Sequence, residues 1–172
     1  MATVPTLPTQ AAGAPAKADY INGNLAYAVG FALRPPMARV YRTAALTGLV
    51  SGTWYLPQWD TNSYDTDGMH TSANILTVQT PGYYRFTARS VLAPGAGLNL
   101  IDVRKNAAGS VSGGTEIGAH QVSSAYNTVT DELPFNQGDT VEIFIQQTSG
   151  SNQSLTVGAA FSFFAMRLTG LL

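Results

Sequence analysis

The residues able to do chemistry are few and scattered. The only two histidines, His70 and His120, stand 50 positions apart. His70 lies close in sequence to Asp65 and Asp67, a combination that could exchange a proton between imidazole and carboxylate. A hydrogen-bonded surface loop is the simpler reading of the same spacing. Asp60-Thr61-Asn62-Ser63-Tyr64-Asp65 opens like a calcium loop. Its sixth position is Asp where such loops need Gly, and its twelfth, Thr71, stands where they need Glu. Asp60, Asp65 and Asp67 are therefore a weak calcium candidate, and a turn closed by Asx hydrogen bonds is favoured. Gly109-Ser110-Val111-Ser112-Gly113 has Val at the centre, where a nucleophile elbow carries Ser. Gly113-Gly114 and Gly118 come without the lysine and helix of a phosphate loop. No catalytic set assembles, so the chain is expected to be non-enzymatic, with no cofactor.

Trp54, Tyr55 and Trp59 are the remaining candidate readers of a ligand, since aromatic rings can stack on sugar rings. The alternative is an aromatic cap over one end of the fold. Asn152-Gln153-Ser154 is a glycosylation sequon, with meaning only on a secretory route.

Bulk composition narrows the class. The chain has 172 residues, enough for one domain plus an appendage. Charged residues make up 11%, against roughly 25% in average soluble domains. The net charge is −1, and seven arginines and two lysines are spread singly, so nucleic acid is not an expected partner. Cysteine is absent, which removes disulfides and thiolate zinc sites. Met1 to Gln10 has neither a basic start nor an apolar run, so no cleaved secretion signal is expected. No stretch approaches the ~20 apolar residues of a membrane span, and membrane insertion is not expected.

Residues 1–17 hold three prolines and many small residues without periodicity, an extended arm. Ala18 to Leu33 has helical spacing, with Asp19 a candidate N-cap. Gly23 and Gly30 each cost that helix about 1 kcal/mol against Ala, and Arg34-Pro35-Pro36 ends it. An apolar stripe after a mobile arm fits an anchor that docks on another protein, with Tyr20, Leu25, Val29 and Phe31 as its contacts. From residue 38 the pattern is strand and turn: Ala38–Arg42, Gly52–Leu56, Ile75–Gln79, Tyr83–Leu92, Leu98–Lys105, Thr115–Val122, Thr128–Phe135, Thr140–Gln147 and Leu155–Leu168. The last divides naturally into Leu155–Gly158 and Ala160–Leu168. Turn signals such as Pro81-Gly82, Pro94-Gly95-Ala96-Gly97 and Asn136-Gln137-Gly138 separate them. The expected fold is all-β: an antiparallel jelly-roll sandwich of about eight to ten strands, behind an N-terminal extended arm and short helix. The organisation divides at 1–37 (arm and anchoring helix) and 38–172 (jelly roll).

In a strand, side chains alternate between faces. Phe161 and Phe163 are thus expected on one face of the last strand, and Phe164, Met166 and Leu168 on the other. With apolar groups on both faces, one face must be covered by another copy of the chain.

A series of motifs runs in a definite order along the chain. It begins with Tyr64-Asp65-Thr66-Asp67-Gly68-Met69-His70, Leu76-Thr77-Val78 and Pro81-Gly82-Tyr83-Tyr84-Arg85-Phe86. It continues through Val103-Arg104-Lys105-Asn106 and Leu133-Pro134-Phe135-Asn136-Gln137-Gly138-Asp139-Thr140-Val141, and ends in Phe161-Ser162-Phe163-Phe164-Ala165-Met166-Arg167-Leu168. That order resembles complement globular-head and tumour-necrosis-factor-like domains over about Arg39 to Leu172, and the resemblance implies a ten-strand jelly roll that forms a homotrimer around an aromatic axis. Tyr84, Phe86, Phe161, Phe163 and Phe164 are the residues expected in core and trimer interface. The opening forty residues resemble N-termini of short structural proteins in tailed bacteriophages. What that implies is a virion surface protein made in the host cytoplasm: a capsid decoration, head fibre or tail appendage whose partner is a capsid or tail protein. One alternative is the receptor- or glycan-binding head of a tail fibre. The other is a secreted trimeric ligand of the tumour-necrosis-factor type.

Overall fold

A computed structural model of the chain describes residues 18–92 and 97–172, with side chains from residue 25 onward except that of residue 27. The expected arm over 1–17 and the side chain of Tyr20 lie outside the described residues. Helix α1 spans Ala18–Leu33, the range its spacing predicts. Its last hydrogen bond runs from Arg34 N–H to the Gly30 carbonyl at 3.0 Å, immediately before the two prolines.

The strands are β1 Met37–Tyr41, β2 Leu46–Leu49, β3 Thr61–Asp65, β4 Leu76–Thr77, β5 Gly82–Val91, β6 Asn99–Lys105, β7 Thr115–Val122, β8 Tyr126–Phe135, β9 Thr140–Gln147, β10 Gln153–Leu155 and β11 Phe163–Gly170. They form a five-stranded sheet β3-β1-β11-β5-β8, a four-stranded sheet β4-β9-β6-β7 and a small pair β10-β2. Every pairing is antiparallel. The architecture is the antiparallel jelly-roll sandwich that the strand and turn pattern predicts.

Alternation builds the core. Along β5, Tyr84, Phe86 and Ala88 are fully buried between the sheets, while Tyr83 and Arg85 face out. On β11 the inward set is Phe164, Met166 and Leu168, and on β9 it is Val141, Ile143 and Ile145. Tyr84 meets Phe135 edge-on with ring centroids 6.1 Å apart. Its hydroxyl donates to the Thr80 carbonyl at 2.7 Å, so its polar end is satisfied inside the core. Burial pushes the Tyr84 phenol far above its usual range, with the nearby Asp67 adding to the effect.

Two expectations need correction. Gly52–Leu56 is not a strand; Tyr55 makes an isolated bridge to Ile145, while β2 and β3 supply the pairing on either side of it. The last run is also interrupted. Gly158 adopts φ +106°, Phe161 N–H bonds back to the Gly158 carbonyl at 2.9 Å, and β11 begins only at Phe163. Phe161 thus sits in a turn and is 42% exposed, not on a strand face beside Phe163.

Candidate functional site

The surface most distinct in composition is the outer face of the five-stranded sheet. Met37 and Arg39 on β1, Phe163, Ala165 and Arg167 on β11, and Tyr83, Arg85 and Arg89 on β5 point away from the core by strict alternation. Register places Arg39 opposite Ala165 and also opposite Tyr64 of β3. Arg89 lies opposite Phe163, and Arg85 opposite Arg167. The Arg39 guanidinium stacks 4.0 Å above the Phe163 ring, and Arg89 lies 5.5 Å above the ring of Tyr126. Arg39 also donates through Nη2 to the Ala159 carbonyl at 2.6 Å.

Charge on this face is unbalanced. Arg85 pairs with Glu132 at 3.2 Å, whereas the Nε atoms of Arg39 and Arg89 are buried without a hydrogen-bond partner. Two arginines held directly opposite on neighbouring strands repel each other. Tyr64, Tyr83 and Tyr126 are 39%, 44% and 56% exposed on the same side. Aromatic residues, Met and Arg are the types enriched in the cores of protein interfaces, where Lys and Glu are depleted. At one end the last turn of α1 and the sheet enclose a hollow of about 700 Å³, lined by Phe31, Pro35, Tyr64, Arg85 and Arg167 among others.

The predicted site residues divide cleanly. Tyr84, Phe86 and Phe164 are 0% exposed within the protomer, so they are core and have no surface left to offer a second copy. Phe163 is the residue of that set that faces outward from the sheet. In the helix, Leu25 and Val29 are exposed, at 61% and 45%, and so is Leu33, at 76%. Phe31 is not part of that stripe. It is half-buried against the sandwich, because the helix turns that one face onto the sheet.

Trp54, Tyr55 and Trp59 do not form one exposed reader. Trp59 is 2% exposed and belongs to the hydrophobic core. Tyr55 is half-buried, and its hydroxyl accepts the Val50 N–H at 2.7 Å. Trp54 stands apart beside the four-stranded sheet. The large apolar area of an indole fits core and platform equally, so residue type alone could not separate the two.

The acidic cluster closes turns. Both Asp65 oxygens accept backbone N–H groups, from Met69 at 2.9 Å, His70 at 3.0 Å and Asp67 at 3.3 Å. Asp60 accepts from Thr43 N–H at 2.8 Å and from the Thr61 hydroxyl at 3.0 Å. Burial pushes the Asp60 carboxyl up, but these hydrogen bonds and one from Ala44 outweigh it and hold the group below the usual carboxylate range. Among the described residues, no three acidic or histidine side chains gather as a metal site. His70 meets Asn62 Oδ1 through Nδ1 at 2.5 Å, not a carboxylate, which is the surface-loop contact favoured over an acid–base pair.

No family model matches the chain, and no curated protein matches it. Solved structures do. Murine APRIL at pH 8.0 is 14% identical, covering 77% of this chain and 98% of that one, with a TM-score of 0.59. The fold is the tumour-necrosis-factor and complement-head jelly roll. Eiger TNF from S. frugiperda is 13% identical over 80% of this chain and 94% of that one, with a TM-score of 0.56. The globular domain of zebrafish complement 1qA protein is 14% identical over 80% and 98%, with a TM-score of 0.52. The likeness bears out the fold half of the resemblance carried by Pro81-Gly82-Tyr83-Tyr84 and the closing strand. At such identities it concerns the fold alone.

Proposed function

We propose that the chain is a non-enzymatic structural protein of a tailed-bacteriophage virion. In this reading it is a homotrimer displayed on the particle surface and held to a capsid or tail protein by its N-terminal arm and helix. The observation that carries self-association is the outer face of the five-stranded sheet, where Met37, Arg39, Phe163, Tyr83 and Arg89 stand together with no lysine among them. Arg and Tyr anchors of this kind dominate binding energy in protein interfaces. Each copy would cover the stacked Arg39–Phe163 pair and the exposed tyrosines of its neighbour. The observation that supports an anchor is the stripe Leu25, Val29 and Leu33, spaced by one helical turn and exposed along its length.

A secreted trimeric ligand is the second reading, favoured by the likeness to APRIL and Eiger TNF. One deletion separates the two. Removing residues 1–33 leaves a trimer in both cases. In the virion reading the truncated trimer no longer attaches to particles assembled without the protein, while the full chain does. Attachment of the truncated protein at normal occupancy would overturn the anchor, and failure of the full chain to attach to any virion would overturn the virion role.

A further inference from the structure

The opposite side of the molecule carries a second concavity, independent of the self-association surface. It measures about 290 Å³ and is lined by Trp54, Leu100, Asp102, Glu116, His120 and Gln121. That is the size of a single small group, near the lower end of ligand pockets. One wall is the half-buried indole of Trp54. The floor is β6 and β7 of the four-stranded sheet.

The polar groups here need donors. Asp102 is 5% exposed. Its Oδ2 takes Arg104 Nη2 at 2.9 Å and Arg104 Nε at 3.0 Å, but its Oδ1 has no hydrogen-bond partner. Burial pushes the Asp102 carboxyl up, against the pull of Arg104. His120 Nδ1 lies 2.7 Å from Asn127 Oδ1. Asn127 uses its amide nitrogen on the Asn99 and His120 carbonyls, so Nδ1 must be the donor in that contact. Arg104 is the one cation of the cluster, and its nitrogens are already engaged by Asp102, Glu116 and the Gly113 carbonyl. Register sets Glu116 and Glu142 directly on either side of it. Glu142 is fully buried, and its Oε1 also lacks a partner. Asp102 and Glu116 thus share one guanidinium, and Asp102 keeps an unsatisfied buried oxygen; Glu142, behind them, spends Oε2 on the Gly109 N–H at 2.8 Å.

A buried Asp102 oxygen short of a donor, in a pocket whose two carboxylates share one guanidinium, calls for a cation. The indole wall calls for one with an apolar stem. A neutral sugar could donate hydroxyls to these oxygens but would leave the excess negative charge uncompensated. We propose that this concavity binds an alkylammonium group, the end of a lysine side chain or a small free amine, with Trp54 as the cation–π wall and Asp102 and Glu116 as the acceptors.

The chain holds only two tryptophans, so indole N–H resonances give a direct readout, with the core residue Trp59 as an internal control. Titration of the full chain with Nα-acetyl-lysine-N-methylamide or cadaverine should shift the Trp54 resonance saturably and leave Trp59 in place. A tighter response to the blocked lysine identifies a protein side chain as the source, and one to cadaverine identifies a free amine; both support the site. Glu116→Gln, at an exposed carboxylate, and Trp54→Ala should each weaken binding on the order of tenfold, the latter read by calorimetry. No saturable shift, equal binding of the neutral norleucine analogue, or binding of methyl β-galactoside in place of the amines would overturn the proposal. None of these results depends on whether the chain is a trimer.

Discussion

Phe163 and Phe164 are neighbours on one strand, and truncating each to Ala should have opposite consequences. Phe164 is 0% exposed and sits in the core with Tyr84, Phe86 and Met166. Phe164→Ala removes a buried ring and leaves a cavity, which costs about 3–5 kcal/mol. That is a large part of the roughly 5–15 kcal/mol that holds a domain together. For a chain of this size it corresponds to a fall in Tm of about 6–20 °C. Phe163 faces outward beneath Arg39, with ring centroid and guanidinium 4.0 Å apart. Within one protomer, Phe163→Ala forfeits that stacking and some apolar contact, about 0.5–2 kcal/mol. Its larger effect should fall on association, because the ring belongs to the proposed interface. The assay is urea denaturation of both variants across a hundredfold range of protein concentration. A trimer's midpoint depends on concentration by mass action. Phe164→Ala should lower the midpoint everywhere by a similar amount and keep its concentration dependence. Phe163→Ala should erase the concentration dependence while leaving a folded domain. If Phe163→Ala costs as much as Phe164→Ala at every concentration, or Phe164→Ala costs under about 1 kcal/mol, the division of the strand into core and interface faces is wrong.

Other perturbations test other parts of the structure. Burial pushes the Asp139 carboxyl up, but hydrogen bonds from Lys105, Asn106 and the Asn136 backbone outweigh it and hold its pKa below the usual carboxylate value. A group with a depressed folded pKa stabilises above its unfolded value, about 3.9, and loses that contribution as pH falls through the folded one. Asp139→Asn should therefore lower stability at pH 7 and flatten the acid limb below about pH 4 in a thermal-melt series. Trp59→Ala should cost about 3–5 kcal/mol as a core truncation, while Trp54→Ala should leave the urea midpoint nearly unchanged. Gly118 faces Val129 and Phe86; a Cβ there would lie 2.9 Å from Val129 Cγ1 and 3.2 Å from Phe86 Cζ. Both neighbours are buried and stiff, so Gly118→Ala should cost about 1–3 kcal/mol by overpacking, measured by the same denaturation.

Much of the fold was legible because local rules and global packing agree. The helix ended where Pro35 forbids its continuation, and β7 and β9 were read from alternation at their true limits, Thr115–Val122 and Thr140–Gln147. The failures have a common cause. Phe161 follows the strand alternation in type, yet Gly158 turns the chain and moves that ring off the sheet; the glycine was the signal. Trp59 and Trp54 cannot be told apart by type, since only the closure of the sandwich decides which indole is inside. The outer arginine face was invisible for another reason. Arg39, Arg85, Arg89 and Arg167 are scattered singly along the chain and are gathered only by the pairing of β1, β11 and β5. The same holds for Trp54, Asp102 and Glu116.

The most direct test of self-association through the Arg39–Phe163 face is the mass of the full chain in dilute solution. Sedimentation equilibrium at micromolar concentration should give three times the 18.1 kDa chain, about 54 kDa, and Phe163→Ala combined with Arg39→Ala should return it to the protomer mass with the sandwich still folded. An unchanged protein that sediments as a monomer at that concentration would contradict the account.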